Sequence, residues 1–168
     1  MGCRRLSLIQ AMLPWVVACS DSTQPDNSTS PITARVNGQA WASITPRGDT
    51  IASVTVTLDT LDMLGFDSTG VSDFTVIHIR VRQLAGTGNY KLGFLGAAEA
   101  SYTVYTRTGS LQYVTTSIDT GVVSVDTLDM QTHRLSGTFH YVAAVPNTIP
   151  EQTAAITNGH FAGHFEIK

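Results

Sequence analysis

Lysine is nearly missing from this chain, occurring only at Lys91 and Lys168. Glutamate is almost as scarce, at Glu99, Glu151 and Glu166. Charged residues are 14% of the 168 residues, against roughly 25% in an average globular domain. With 10 basic and 13 acidic residues, the formal charge is −3. So little charge excludes a charged disordered tail and a long solvated coiled coil, and the absent basic excess excludes a nucleic-acid binder. Cysteine is confined to Cys3 and Cys19. Past Cys19 there is no disulfide framework, thiol nucleophile or Cys-based zinc site. No apolar run reaches the roughly 20 residues that a membrane-crossing helix needs. Nowhere do a dozen residues hold an amphipathic helical pattern. Thr, Ser, Gly and Val fill the gap, a blend typical of twisted antiparallel sheets working outside the cytoplasm.

The first residues read as an address. Arg4 and Arg5 form a basic segment without an acid, and residues 6–18 (LSLIQAMLPWVVA) are mostly apolar. That run has the length of a signal-peptide core, which is removed from the mature chain. Val16, Val17, Ala18 and Cys19 then resemble the lipobox of bacterial lipoproteins: an aliphatic residue, two small or aliphatic ones, then cysteine. The resemblance implies a signal peptide over 1–18 and lipidation at Cys19, with palmitate-type acyl chains holding the protein to the membrane. Three chains exceed the two signals that already suffice for stable anchoring. Cys3 precedes the apolar segment and leaves with it. Ser20 stands where an Asp would retain an enterobacterial lipoprotein at the inner membrane, so the outer membrane of the cell envelope is the expected location, facing the periplasm or the surface.

Residues 19–31 comprise the lipidated cysteine and a flexible tether, SDSTQPDNSTSP, rich in Ser, Thr, Asp and Pro. Fully stretched, a dozen residues span roughly 40 Å. From residue 32 the apolar period is two. Strands are expected over 32–36 and 39–45, joined by the hairpin signal Asn37-Gly38, and over 51–58 and 74–82. Shorter strands are expected at 89–93, 100–107, 112–116 and 121–125, and two long ones at 135–144 and 159–167. The fold class is therefore all-β: one domain over 32–168, an antiparallel β-sandwich or flattened barrel. The near-repeat of Asp59-Thr60-Leu61-Asp62-Met63 at Asp126-Thr127-Leu128-Asp129-Met130 has unmatched flanks and reads as two similar strand-end turns.

Several landmarks in order carry a second resemblance. They are Val36-Asn37-Gly38 with Trp41, Gly88-Asn89-Tyr90-Lys91-Leu92 and Gly121-Val122-Val123-Ser124-Val125, followed by Leu135-Ser136-Gly137-Thr138-Phe139 and Ile156-Thr157-Asn158-Gly159 with Phe161. Their order is similar to that of small bacterial β-sandwich-like lipoproteins of unknown function, which open on a VNG..W hairpin and close on GTF and G.F strands. That family brings no catalytic residue to transfer.

Candidate chemistry is thin. On the last strand His160, Ala162, His164 and Glu166 share one face and Phe161, Phe165 and Ile167 the other. His160 and His164 stand roughly 13 Å apart along an extended strand and cannot share an ion. His164 with Glu166, or with His140 from a neighbouring strand, could do so; solvent-facing histidines are the simpler reading, and no metal site is assigned. Residues 59–73 read as a long acidic loop in which Asp59, Asp62, Asp67 and Asp73 could hold calcium, although EF-hand spacing is missing. Gly86-Thr87-Gly88 lacks the third Gly and the helix of a dinucleotide fingerprint. No Gly-x-Ser-x-Gly elbow exists.

Trp41 separates a packed core from a sugar-stacking platform. With a two-residue turn Val36 pairs with Gln39, Arg35 with Ala40 and Ala34 with Trp41. Paired residues share a sheet face, which places Trp41 beside Ile32, Ala34 and Val36 on the apolar side. A buried Trp41 is expected. The functional expectation is a membrane-tethered envelope lipoprotein, a non-catalytic binding or assembly module with an envelope protein or glycan as partner and no cofactor. The alternatives are a carrier of a small apolar or sugar ligand and an envelope hydrolase.

Overall fold

Period-two patterning produces eleven strands and no helix among the described residues of the computed structural model, which are 32–44, 50–57, 59–68, 73–93, 97–116 and 121–167. Residues 1–31, read above as a signal segment, Cys19 and a tether, lie outside them. The strands are β1 (Ile32–Val36), β2 (Gln39–Ala42), β3 (Thr50–Thr57), β4 (Thr60–Ser68), β5 (Phe74–Val81), β6 (Gly88–Leu92), β7 (Ala98–Thr106), β8 (Gly109–Val114), β9 (Gly121–Asp129), β10 (Arg134–Ala144) and β11 (Thr153–Ile167).

Their pairing closes on itself. β11, 15 residues long, runs antiparallel to β10 along one edge. Its other edge is shared: β1 takes Ile156 to Phe161, and β3 takes His164 to Ile167. From there β3, β4, β5 and β7 pair in sequence, and β6 and β9 carry the ring back to β10. Two of these pairings, β11–β3 and β6–β7, are parallel, so the sheet is mixed although mostly antiparallel. The result is a flattened barrel. β3, β6 and β9 complete its lower end. At the upper end β1–β2 reaches β4 through Ile44 N–H to Phe66 C=O (2.6 Å), and β8 bridges β7 to β10 at Val114–Ala144.

The turns follow local chemistry. Asn37 and Gly38 both take positive φ (49° and 81°), as a type I′ hairpin requires, and the register beyond them pairs Ala34 with Trp41. Asn37 also closes onto β11: its N–H donates to Ala155 C=O and its Oδ1 accepts from Ala155 N–H, both at 2.8 Å.

One expectation is corrected. Residues 60–68, read as part of an acidic loop, form β4, hydrogen-bonded to β3 and β5. Leu61 and Met63 point into the core, and the acidic Asp62 between them points out. Thr57 pairs with Thr60, so the ladder between β3 and β4 runs to the ends of both strands.

The interior is filled by residues from every side of the ring, among them Leu61, Met63, Ile77, Ile79, Leu135, Tyr141, Ile156 and Phe161. Aromatic rings lie directly on glycines. A Cβ on Gly137 would strike the Phe161 ring and Ser124 C=O, and one on Gly159 the Phe139 ring. On Gly65 it would come within 2.9 Å of the Trp41 ring. Such interlocking leaves these layers no slack.

Candidate functional site

β4, β5 and β7 set a row of charges on the outside of the barrel. The register aligns Asp62 with Arg80 and Arg80 with Glu99. Arg80 donates Nε and Nη2 to Asp62 Oδ2 (3.0 and 2.6 Å), and His78 Nε2 meets Asp62 Oδ1 at 2.6 Å. Glu99 Oε1 accepts from Arg82 at 2.8 Å and lies 3.7 Å from Arg80. Partial burial pushes the Asp62 carboxyl upward, but the hydrogen bonds and charges of Arg80 and His78 outweigh it and hold the group below the usual carboxylate range. Arg80 is raised in turn by Asp62. Beside this row His78, Glu99, Ser101, Gln112 and Thr115 line an open cleft of about 250 Å³.

Ser101 pairs directly with His78, so Asp62, His78 and Ser101 follow one another across three strands. They do not form a nucleophilic relay. Asp62 occupies Nε2, and no hydrogen bond joins Ser101 to His78. What the row does chemically is balance charge across the sheet.

The histidines of β11 fall where the alternation puts them, with His160, His164 and Glu166 exposed on the outer face and Phe161 and Phe165 buried. The meeting of His164 with His140 that the sequence left open does not occur. His164 pairs with Arg134, six residues along β10 from His140, or roughly 20 Å at about 3.3 Å per residue. His140 instead shares a shallow groove with His160, Asn158 and Thr138, because a bulge between Phe139 and Tyr141 shifts the register there. No trio of His, Cys, Asp or Glu that could hold a metal occurs among the described residues. The calcium reading of 59–73 loses its loop to β4: Asp62 and Asp67 are five residues apart on an extended strand, roughly 16 Å at about 3.3 Å per residue.

Trp41 is buried, at 5% exposure, on the core side as expected. Its indole N–H donates to Thr75 Oγ1 at 2.7 Å, which satisfies the one polar atom carried inside. Tyr141 solves the same problem by donating its hydroxyl to Ser101 C=O at 3.0 Å, and complete burial drives that hydroxyl's pKa upward.

The outer surface is uneven in a way the sequence did not reveal. Among the described residues the exposed large apolar side chains are Ile44, Phe74, Tyr105, Leu111, Val142, Ile149, Met130 and Ile167. The first six lie toward the upper end, and Ile149, in the turn between β10 and β11, is 99% exposed. Phe74 and Tyr105 pair across β5 and β7 with rings stacked 4.4 Å apart at 12°. Hydrophobicity alone could not single these residues out, since buried and exposed members share the same strands. Only the sheet order gathers them.

No curated protein and no solved structure matches this chain. No helix among the described residues is long and apolar enough to cross a membrane. One family profile, described as a domain of unknown function (DUF6252), matches residues 29–163. The match spans the barrel from before β1 into β11, and the chain belongs to that family.

Proposed function

We propose that this protein is a lipid-anchored module of the bacterial cell envelope, held by Cys19, that works by binding a protein partner through the upper end of its barrel rather than by catalysis. The anchor rests on the basic, apolar and lipobox segments in series. The binding role rests on one observation: of the eight exposed large apolar side chains among the described residues six, the fully exposed Ile149 included, lie toward one end, over an interior packed ring-on-glycine. That packing leaves the carrier reading without room between the Phe139, Phe161 and Trp41 layers. A glycan platform is disfavoured because Phe74 and Tyr105 cover one face of each other.

Two measurements test it. Labelled palmitate should enter the wild type and Cys3→Ala but not Cys19→Ala, which should leave the membrane fraction; label and membrane retention in Cys19→Ala would overturn the anchor. A photo-crosslinking residue at Tyr105 or Ile149 should give discrete adducts in intact cells, while Met130 and Ile167 give none. Equal adducts at both ends, or none at either, would overturn the binding role.

A further inference from the structure

The outer edge of β8 carries backbone groups with no strand partner among the described residues. Thr115 N–H donates to Ala100 C=O at 2.9 Å, and the same register sets Tyr113, Leu111 and Gly109 opposite Tyr102, Val104 and Thr106. Alternation along an antiparallel ladder therefore turns the N–H and C=O of Tyr113 and Leu111 toward β7, and those of Ser110 and Gln112 away from it. Val114, the next outward residue, is taken by Ala144 of β10, where the β8–β10 pairing ends. Ser110 and Gln112 are exposed, so two donors and two acceptors face solvent in strand geometry. The usual protections of an edge are missing: β8 (GSLQYV) has no charge, no proline and no shift in its register with β7.

We propose that this edge pairs with β8 of a second copy of the chain, antiparallel about a two-fold axis at Leu111. In that register Ser110 faces the partner's Gln112 and Gln112 the partner's Ser110, so each pair exchanges two backbone hydrogen bonds. Leu111, exposed in the single chain, meets the partner's Leu111 as a non-hydrogen-bonded pair with Cα atoms about 4.5 Å apart. One strand thus supplies both halves of an isologous contact, and its lack of charge removes the repulsion that self-pairing otherwise meets. Two edges of this length bury far less than the roughly 1,200 Å² of a stable interface, so pairing is weak in dilute solution. Confinement to a membrane raises the effective concentration, a step that rests on the anchored reading above.

Cysteine substitution reads the register directly. The wild-type mature chain has no cysteine besides Cys19, whose sulfur the lipid occupies in that reading. In envelope membranes treated with diamide, which accepts the two thiol electrons and protons, Leu111→Cys should form a disulfide-linked homodimer. Thr108→Cys and Met130→Cys, also at exposed positions, should stay monomeric. Adding Gln112→Pro to Leu111→Cys removes an outward N–H while sparing the ladder to β7, and should slow dimer formation by about tenfold or more, the worth of one to two backbone hydrogen bonds. An unchanged far-ultraviolet spectrum verifies that this variant folds. A monomeric Leu111→Cys, equal dimer at the control positions, or a mixed disulfide with a different protein would overturn the second-copy pairing. The same series in the full chain carrying Cys3→Ser and Cys19→Ser, at high concentration, separates the two proposals. Dimer in that soluble form supports the edge pairing whatever becomes of the anchor. Membrane-bound chains that never cross-link at Leu111→Cys refute the pairing and keep the anchor.

Discussion

The two ends of the barrel are finished differently. At the lower end β3, β6 and β9 complete the ring, and the β9–β10 turn is tied down by its own residues. Asp129 Oδ1 accepts from the N–H groups of Gln131 (2.8 Å) and Thr132 (3.0 Å), and Oδ2 from the Thr132 hydroxyl (2.6 Å). Those bonds pull the Asp129 carboxyl below its usual range. At the upper end two hairpins close the gap, β1–β2 by a bond from Ile44 to Phe66 and β8 by a single register position on β10. There the apolar side chains and a free strand edge remain. Among the described residues, the β9–β10 turn binds its own backbone groups, whereas the outward groups of Ser110 and Gln112 at the other end face solvent and are open to a partner.

The largest effect expected from breaking this arrangement is at Trp41, which joins the β1–β2 hairpin to the interior. Trp41→Ala removes the ring over Gly65 and the bond to Thr75, and should cost about 3–5 kcal/mol in chemical denaturation. A loss within experimental error would mean that the upper hairpin is not part of the core. Gly137→Ala tests the filling of the lower half. Its methyl would meet the Phe161 ring and Ser124 C=O, and a loss of about 1–3 kcal/mol is expected. Gly93→Ala, with its nearest neighbour at 3.6 Å, is the tolerant control for crowding.

The charged row on β4, β5 and β7 contributes less. Because the folded Asp62 carboxyl is lowered, its stabilisation is present above the unfolded carboxylate range and is lost as pH falls through the folded value. Asp62→Asn should therefore lower stability at neutral pH by about 1 kcal/mol or less and flatten the acid limb of the stability profile, the discount reflecting a pair that is one-third exposed. An acid limb unchanged in Asp62→Asn would place the titrating group elsewhere. Smallest of all is Ile149→Ser, which should shift stability by no more than about 0.5 kcal/mol. Should it nonetheless abolish adducts from a probe at Tyr105, the upper end is an interface. Should it unfold the chain, Ile149 has a structural role.

How much of this was legible in the sequence depended on how local the information was. The Asn37-Gly38 turn fixed the pairing of Ala34 with Trp41, and with it the face on which the indole is buried. The alternation on 74–82 separated Ile77, Ile79 and Val81 from His78 and Arg80 without any knowledge of neighbours. β4 was hidden because Asp62 and Asp67 look like loop residues until Arg80 is placed across from Asp62. Which histidines lie side by side was hidden for a related reason. A bulge beside His140 and the offset of β10 against β11 decide which histidines meet, and neither is written in one strand alone. The upper end lay furthest from view, since its apolar residues come from six different strands or turns that only the ring brings together.

The contrast between the ends is tested most directly by residue-resolved hydrogen exchange on the full chain, purified at low concentration and again in envelope membranes, the location proposed above. Purified, the amides of Leu111 and Tyr113 should exchange slowly because β7 holds them, while those of Ser110 and Gln112 exchange quickly. In the envelope, added protection should appear at Ser110 and Gln112 and around Tyr105 and Ile149, and the β9–β10 turn near Met130 should not change. Added protection at that lower turn, or none at the upper end, would contradict the account.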